Sequence, residues 1–117
     1  MARVLIGEPH PEVRRLLSAI VNRLGHEAIG FDDLWRIQPP HGDALVLEPQ
    51  LDDAVELVHA LRRRSPELRI VCASSYAPTP AVLALEPVAC LVKPFPLAEL
   101  ALAVEEALAE APFAVAA

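Results

Sequence analysis

"GDALVLEPQLDD", Gly42 to Asp53, is the stretch on which the fold turns. Four apolar residues, Ala44 to Leu47, run straight into a carboxylate, Glu48, and then into Pro49. A continuous apolar run of that length predicts a strand over Asp43–Glu48 buried on both faces, as in a parallel sheet. An acid at the C-terminal end of such a strand sits where open parallel sheets gather their ligand chemistry. Asp52 or Asp53 is suited to cap a helix running to about Arg63, with Ala54, Leu57, Val58 and Leu61 inward.

Working outward, strands and helices alternate. "RVLIG" (Arg3–Gly7) is a short apolar strand. "PEVRRLLSAIVNRLG" follows as a helix, with Pro11 in the first turn and Gly25 at the C-terminal stop. Its apolar positions Val13, Leu16, Leu17, Ile20, Val21 and Leu24 keep the helical period. "HEAIGF" is a weaker second strand, and "DDLWRIQ" offers about two helical turns before Pro39-Pro40 ends them. "LRIVCAS" and "ACLV" predict a fourth and a fifth strand. Between them, Pro78, Pro80 and Pro87 leave room only for a short helix over Ala81–Glu86. The last helix starts at Pro96 or Leu97 and runs to about Glu110, with Leu97, Leu100, Ala101, Val104 and Leu108 inward. Residues 110–117 form an apolar tail. Such alternation implies one domain over 1–117, a parallel sheet with right-handed crossovers and helices on both faces.

Composition excludes several functions. A chain of 117 residues, 54% hydrophobic and 22% charged, is compact rather than disordered. A formal net charge of −6 argues against a nucleic-acid partner, which needs a basic face. The basic cluster Arg62-Arg63-Arg64 ends a predicted helix, where it complements the helix dipole and faces water. No apolar run approaches a membrane span, the first residues begin a strand rather than a signal peptide, and two cysteines without metal-like spacing fit a reducing, cytoplasmic setting. His10, His26, His41 and His59 have no metal-site spacing and are expected to be surface residues. Only four glycines, with no Gly-rich loop, leave a phosphate cradle without support.

Five βα units ending in "VKPF" resemble the receiver domain of bacterial two-component response regulators, of the CheY-like kind. The resemblance runs from "RVLIGEPHPEVRRLL" through "DALVLE" and "IVCASSY" to "CLVKPF". It implies a flavodoxin-like α/β fold, a five-stranded parallel sheet in the order 2-1-3-4-5 with helices on both faces. The prolines shorten its second and fourth helices. In that order Cys72 and Cys90 fall on neighbouring strands; buried free thiols are the expected state, a redox pair the alternative.

The resemblance also assigns the site. Receivers carry two adjacent acids after strand 1 that hold Mg²⁺; here those places are Glu8 and Pro9. Glu48 matches the phosphoacceptor aspartate, Ser74 the hydroxyl residue ending strand 4, and Lys93 the lysine ending strand 5. Cys90 takes the place of the aromatic switch residue. Proline supplies no oxygen ligand, and Mg²⁺ needs near-octahedral oxygen ligation. Glu48 carries one methylene too many, and a misplacement of about 1 Å can cost about 100-fold in a positioned reaction. No catalytic residue and no cofactor are expected, with Mg²⁺ binding weak or absent. Glu48 then either projects toward the phosphoryl position as a built-in mimic or is an acid paired with Lys93 in an inactive pocket. Tyr76 could replace the lost switch aromatic or be a partly exposed core residue. Trp35 is expected to plug the space beside the truncated second helix.

The expected function is that of an atypical, stand-alone receiver in bacterial signalling, not an enzyme. It would bind protein partners through the face from Ala81 to Glu110, independently of phosphorylation. Two alternatives stay open: a working receiver phosphorylated by a histidine kinase, and the receiver fragment of a longer regulator.

Overall fold

The computed structural model describes residues 2–32 and 41–109, and nine elements lie among them. They are β1 (Arg3–Gly7), α1 (Pro11–Arg23), β2 (Glu27–Phe31), β3 (Ala44–Leu47), α2 (Ala54–Arg64), β4 (Arg69–Ser74), α3 (Pro80–Leu83), β5 (Ala89–Val92) and α4 (Leu97–Ala109). The five strands form one parallel sheet in the order β2-β1-β3-β4-β5. This is the flavodoxin-like arrangement. Trp35, the second-helix segment after Asp32, and the 110–117 tail lie outside the described residues.

The central strands alternate between two cores, as the pleat requires. Val4, Ile6, Val46, Val71 and Ala73 pack with α1 and α4 on one face. Leu5, Leu45, Leu47, Ile70 and Cys72 pack with α2 and α3 on the other. Ala44 to Leu47 are buried throughout, so β3 is covered on both sides. Each fully buried leucine or valine contributes about 1.5–3 kcal/mol through removal of its surface from water.

Local chemistry sets the helix ends. Pro11 opens α1, and Gly25 follows its end in the left-handed conformation, φ 89°, with its N–H on the Asn22 carbonyl at 3.0 Å. α3 is shorter and earlier than the Ala81–Glu86 expectation. Thr79 caps it by accepting the Val82 N–H at 3.3 Å, and Glu86 turns left-handed at φ 55° before Pro87.

Other expectations fail for identifiable reasons. Asp53 precedes α2 but adopts φ 58° and makes no side-chain cap. Only its carbonyl joins the helix, accepting the Leu57 N–H at 2.9 Å. Leu16 and Leu97 are each 49% exposed, whereas Ala103 and Ala107 are buried in α4. The buried stripe of α4 combines Leu100 and Val104, as the helical period predicts, with Ala103 and Ala107. Arg62 does not simply face water: its guanidinium donates to the carbonyls of Leu68 and Leu85, the latter at 2.6 Å. Burial, assisted by nearby Arg69 and opposed by Glu86, lowers its pKa.

Candidate functional site

The C-terminal ends of β1, β3 and β5 bring three ionisable side chains together. Glu8 follows β1, Glu48 follows β3 and Lys93 follows β5. Glu8 is 1% exposed, Glu48 5% and the Lys93 side chain 18%. Lys93 Nζ donates to Glu8 Oε1 at 2.6 Å and to Glu48 Oε1 at 3.1 Å. One ammonium thus bridges two carboxylates at the edge of the sheet.

The outer oxygens are also satisfied. Glu8 Oε2 accepts the His10 backbone N–H at 3.0 Å and faces His10 Nδ1 at 3.1 Å. An ionised carboxylate only accepts, so this contact is a hydrogen bond in the tautomer that carries its hydrogen on Nδ1. Glu48 Oε2 accepts the Gln50 N–H at 3.0 Å. The backbone around both acids is tied as well: Arg14 donates to the Glu8 carbonyl at 2.7 Å, and the Glu48 carbonyl receives the Leu51 N–H at 2.9 Å.

Burial by itself raises the Glu8 pKa, but the hydrogen bonds from Lys93 and then His10 outweigh it and hold Glu8 below its ordinary value. Burial pulls Lys93 down, yet hydrogen bonds to Glu8 and Glu48 leave its pKa raised. With Glu8 held below and Lys93 above their ordinary values, both of these groups are charged at neutral pH.

The Glu48 carboxylate contacts Lys93 and the Gln50 N–H. Pro9 is partly exposed and offers no side-chain oxygen. Ser74 is 6% exposed, and its hydroxyl accepts the Tyr76 N–H at 3.2 Å, fixing the turn after β4. Cys90 is half-buried on β5 in register with Cys72. Burial, Cys90 and Glu48, in that order, push the Cys72 thiol up to about 12. Tyr76 is 65% exposed and therefore no core residue. With Pro49, Gln50, Ser74, Val82 and the two cysteines it lines a cleft of about 50 Å³.

The donors suit Mg²⁺ poorly. The inner oxygens of Glu8 and Glu48 already hold an ammonium, the outer ones hold N–H groups, and Pro9 adds nothing. Among the described residues no group of three or more His, Cys, Asp or Glu side chains is placed to hold a metal.

Sequence reasoning did not reveal Glu8 as the nearer partner of Lys93, or His10 as its second contact. A signal was present. In the order 2-1-3-4-5, β1 and β3 are neighbours, so acids directly after both strands must share any cation at that edge.

No family model matches the chain, and no curated protein matches it. Solved structures do. NtrX from Brucella abortus in complex with ADP is 24% identical, with a TM-score of 0.78; the match covers 92% of this chain but only 27% of NtrX. A CheY-like response regulator receiver domain protein from Methanospirillum hungatei is 20% identical, covering 94% of this chain and 95% of that one, with a TM-score of 0.80. The response regulator TrrA from Thermotoga maritima in complex with Mg²⁺ and BeF is 20% identical, covering 92% and 100%, with a TM-score of 0.77. At these identities the likeness is one of architecture, and this chain has the fold of response regulator receiver domains.

Proposed function

We propose that this chain is an atypical receiver domain of two-component signalling that acts as a protein-interaction module without phosphorylation or Mg²⁺. The observation that carries the proposal is the Glu8–Lys93–Glu48 bridge, in which the lysine expected to meet an incoming phosphoryl group is already held by two acids. Phosphoryl transfer to a carboxylate depends on in-line positioning and on metal charge at the transferring oxygens. Here the matching carboxylate already contacts Lys93 and the Gln50 N–H, and the second acid of the metal pair is Pro9. The bridge supplies permanently the cross-strand tie that phosphorylation would otherwise make transient.

Signal then leaves through a surface of constant shape. The face built from α3, β5 and α4 carries exposed Leu83, Val92, Leu97 and Leu102, between 49% and 71% exposed, which supports a protein partner there. No helix among the described residues is long and apolar enough to cross a membrane.

The test is incubation with acetyl phosphate and Mg²⁺, and separately with beryllofluoride and Mg²⁺, followed by intact mass and amide NMR. The protein should stay unmodified and its spectrum unshifted. An acyl phosphate at Glu48, or saturable shifts at Glu8, Glu48 and Lys93, would restore the working-receiver alternative.

A further inference from the structure

Cys72 and Cys90 both line the cleft that Tyr76 borders, with Glu48 of the bridge near enough to raise the Cys72 pKa. Cys72 on β4 and Cys90 on β5 are register partners, so both side chains leave the sheet on the same face. Cys72 is 3% exposed and Cys90 half-buried, and both are free. Cys72 belongs to the core beneath α2 and α3, and Cys90 packs against that core from the edge. The cleft above them opens to solvent between Pro49, Tyr76 and Val82.

We propose that Cys72 and Cys90 form a two-coordinate site for a soft monovalent d¹⁰ cation, of which copper(I) is the physiological member. Soft ions select thiolate ligands. Neighbouring strand backbones stand about 4.8 Å apart, and two metal–sulfur bonds of the zinc–thiolate length, about 2.3 Å, span about 4.6 Å end to end. A linear sulfur–metal–sulfur unit therefore bridges register partners at the ordinary sheet spacing. A disulfide requires Cβ atoms about 3.5–4.5 Å apart, which at that spacing means drawing the strands together.

The number of ligands favours the same class of ion, while burial and Glu48, which raise the Cys72 pKa to about 12, make metal binding compete with a tightly held proton. Structural zinc sites require four ligands, whereas no third metal-binding side chain joins this pair among the described residues. On binding, each sulfur forms one bond to the metal and releases its proton through the cleft mouth. No electrons move. An ion of charge +1 and two thiolates leave the site at −1. Occupancy would pin the edge strand β5 to β4 and fill the cleft floor under the exposed Tyr76 ring.

The test uses the whole 117-residue chain, reduced and kept free of oxygen. Copper(I) is titrated against a chromogenic copper(I) chelator, and silver(I) is titrated in parallel as a redox-inert stand-in. The expected result is one ion per chain by native mass spectrometry, protection of both thiols from alkylation, and NMR shifts concentrated in β4 and β5. Cys72→Ser and Cys90→Ser should each weaken binding by about 100-fold or more. Circular dichroism checks folding, and Cys72→Ala replaces Cys72→Ser if a buried hydroxyl at that position prevents it. Stoichiometric binding that survives in the double Cys→Ser variant overturns the proposal. So does complete loss of the ion to an equimolar simple dithiol, or a product lighter by two hydrogens instead of an ion adduct, which marks a disulfide.

Discussion

The Lys93 ammonium lies 2.6 Å from the Glu8 carboxylate, an acid 85 residues away in the chain, and is closer to it than to Glu48 at 3.1 Å. Of the two acids, Glu8 is thus the closer partner of the lysine. Glu8 is also the more deeply buried acid, at 1% exposure against 5%. The centre of the site is an ion bridge.

Removing the cation should be costly. Lys93→Met leaves two buried acids without their shared ammonium, and breaking a buried pair typically destabilises by about 3–5 kcal/mol. Because Lys93 is 18% exposed, solvent screening brings the expectation to about 2–4 kcal/mol. Urea unfolding at neutral pH measures it. A loss below about 1 kcal/mol, within the range of exposed pairs, would show that water supports the acids without the lysine.

The two arms of the bridge should differ in strength. Double-mutant cycles with Glu8→Gln, Glu48→Gln and Lys93→Met isolate each pairwise coupling. Coupling of Lys93 to Glu8 should exceed coupling to Glu48, in keeping with the shorter contact and deeper burial. Equal couplings, or the reverse order, would return Glu48 to the central role.

Stability should fall at both ends of the pH range, through different groups. Glu8 has its folded pKa below the ordinary 4.5, so its contribution is present above about pH 4.5 and lost as pH falls through the folded value. Lys93 has its folded pKa above 10.5, so its contribution is present below about pH 10.5 and lost as pH rises through the folded value. Thermal melts across pH check both signs. Glu8→Gln should flatten the acid limb, and Lys93→Met the alkaline limb.

Gly42→Ala tests the packing that positions β3. A Cβ there would stand 2.5 Å from Leu5 Cγ, inside a fully buried side chain of the neighbouring strand. Overpacking of this kind costs about 1–3 kcal/mol, read as a lower denaturant midpoint with unchanged m-value. An unchanged midpoint would mean that Leu5 can move aside freely.

Restoring receiver chemistry should need more than the nucleophile. Glu48→Asp alone should remain inert to acetyl phosphate, because Pro9 still supplies no metal ligand. Pro9→Asp with Glu48→Asp should give detectable Mg²⁺ binding and some acyl phosphate by mass spectrometry, with Glu8→Asp increasing both by freeing Lys93. Rescue by Glu48→Asp alone would show that the second acid matters little here.

Much of this molecule is readable along the chain because its causes are local. The unbroken apolar run Ala44–Leu47 demands a strand covered on both faces, Pro11 and Gly25 bracket α1, and the prolines around residue 80 permit only a short α3. Glu48 follows from its place at a strand end, whereas Ser74 and Lys93 are singled out by the resemblance to receiver domains. The tertiary structure decided what local pattern cannot carry. Helical period sets a repeat but not the full width of the buried face, so Leu16 and Leu97 are exposed while Ala103 and Ala107 join Leu100 and Val104 in the buried stripe of α4. The sequence places acids after β1 and β3. Which oxygen receives the lysine depends on side-chain reach across three strands, and Lys93 settled closest on Glu8. The Cys72–Cys90 pairing likewise depends on β4–β5 register, which is set by packing between strands and not by either strand alone.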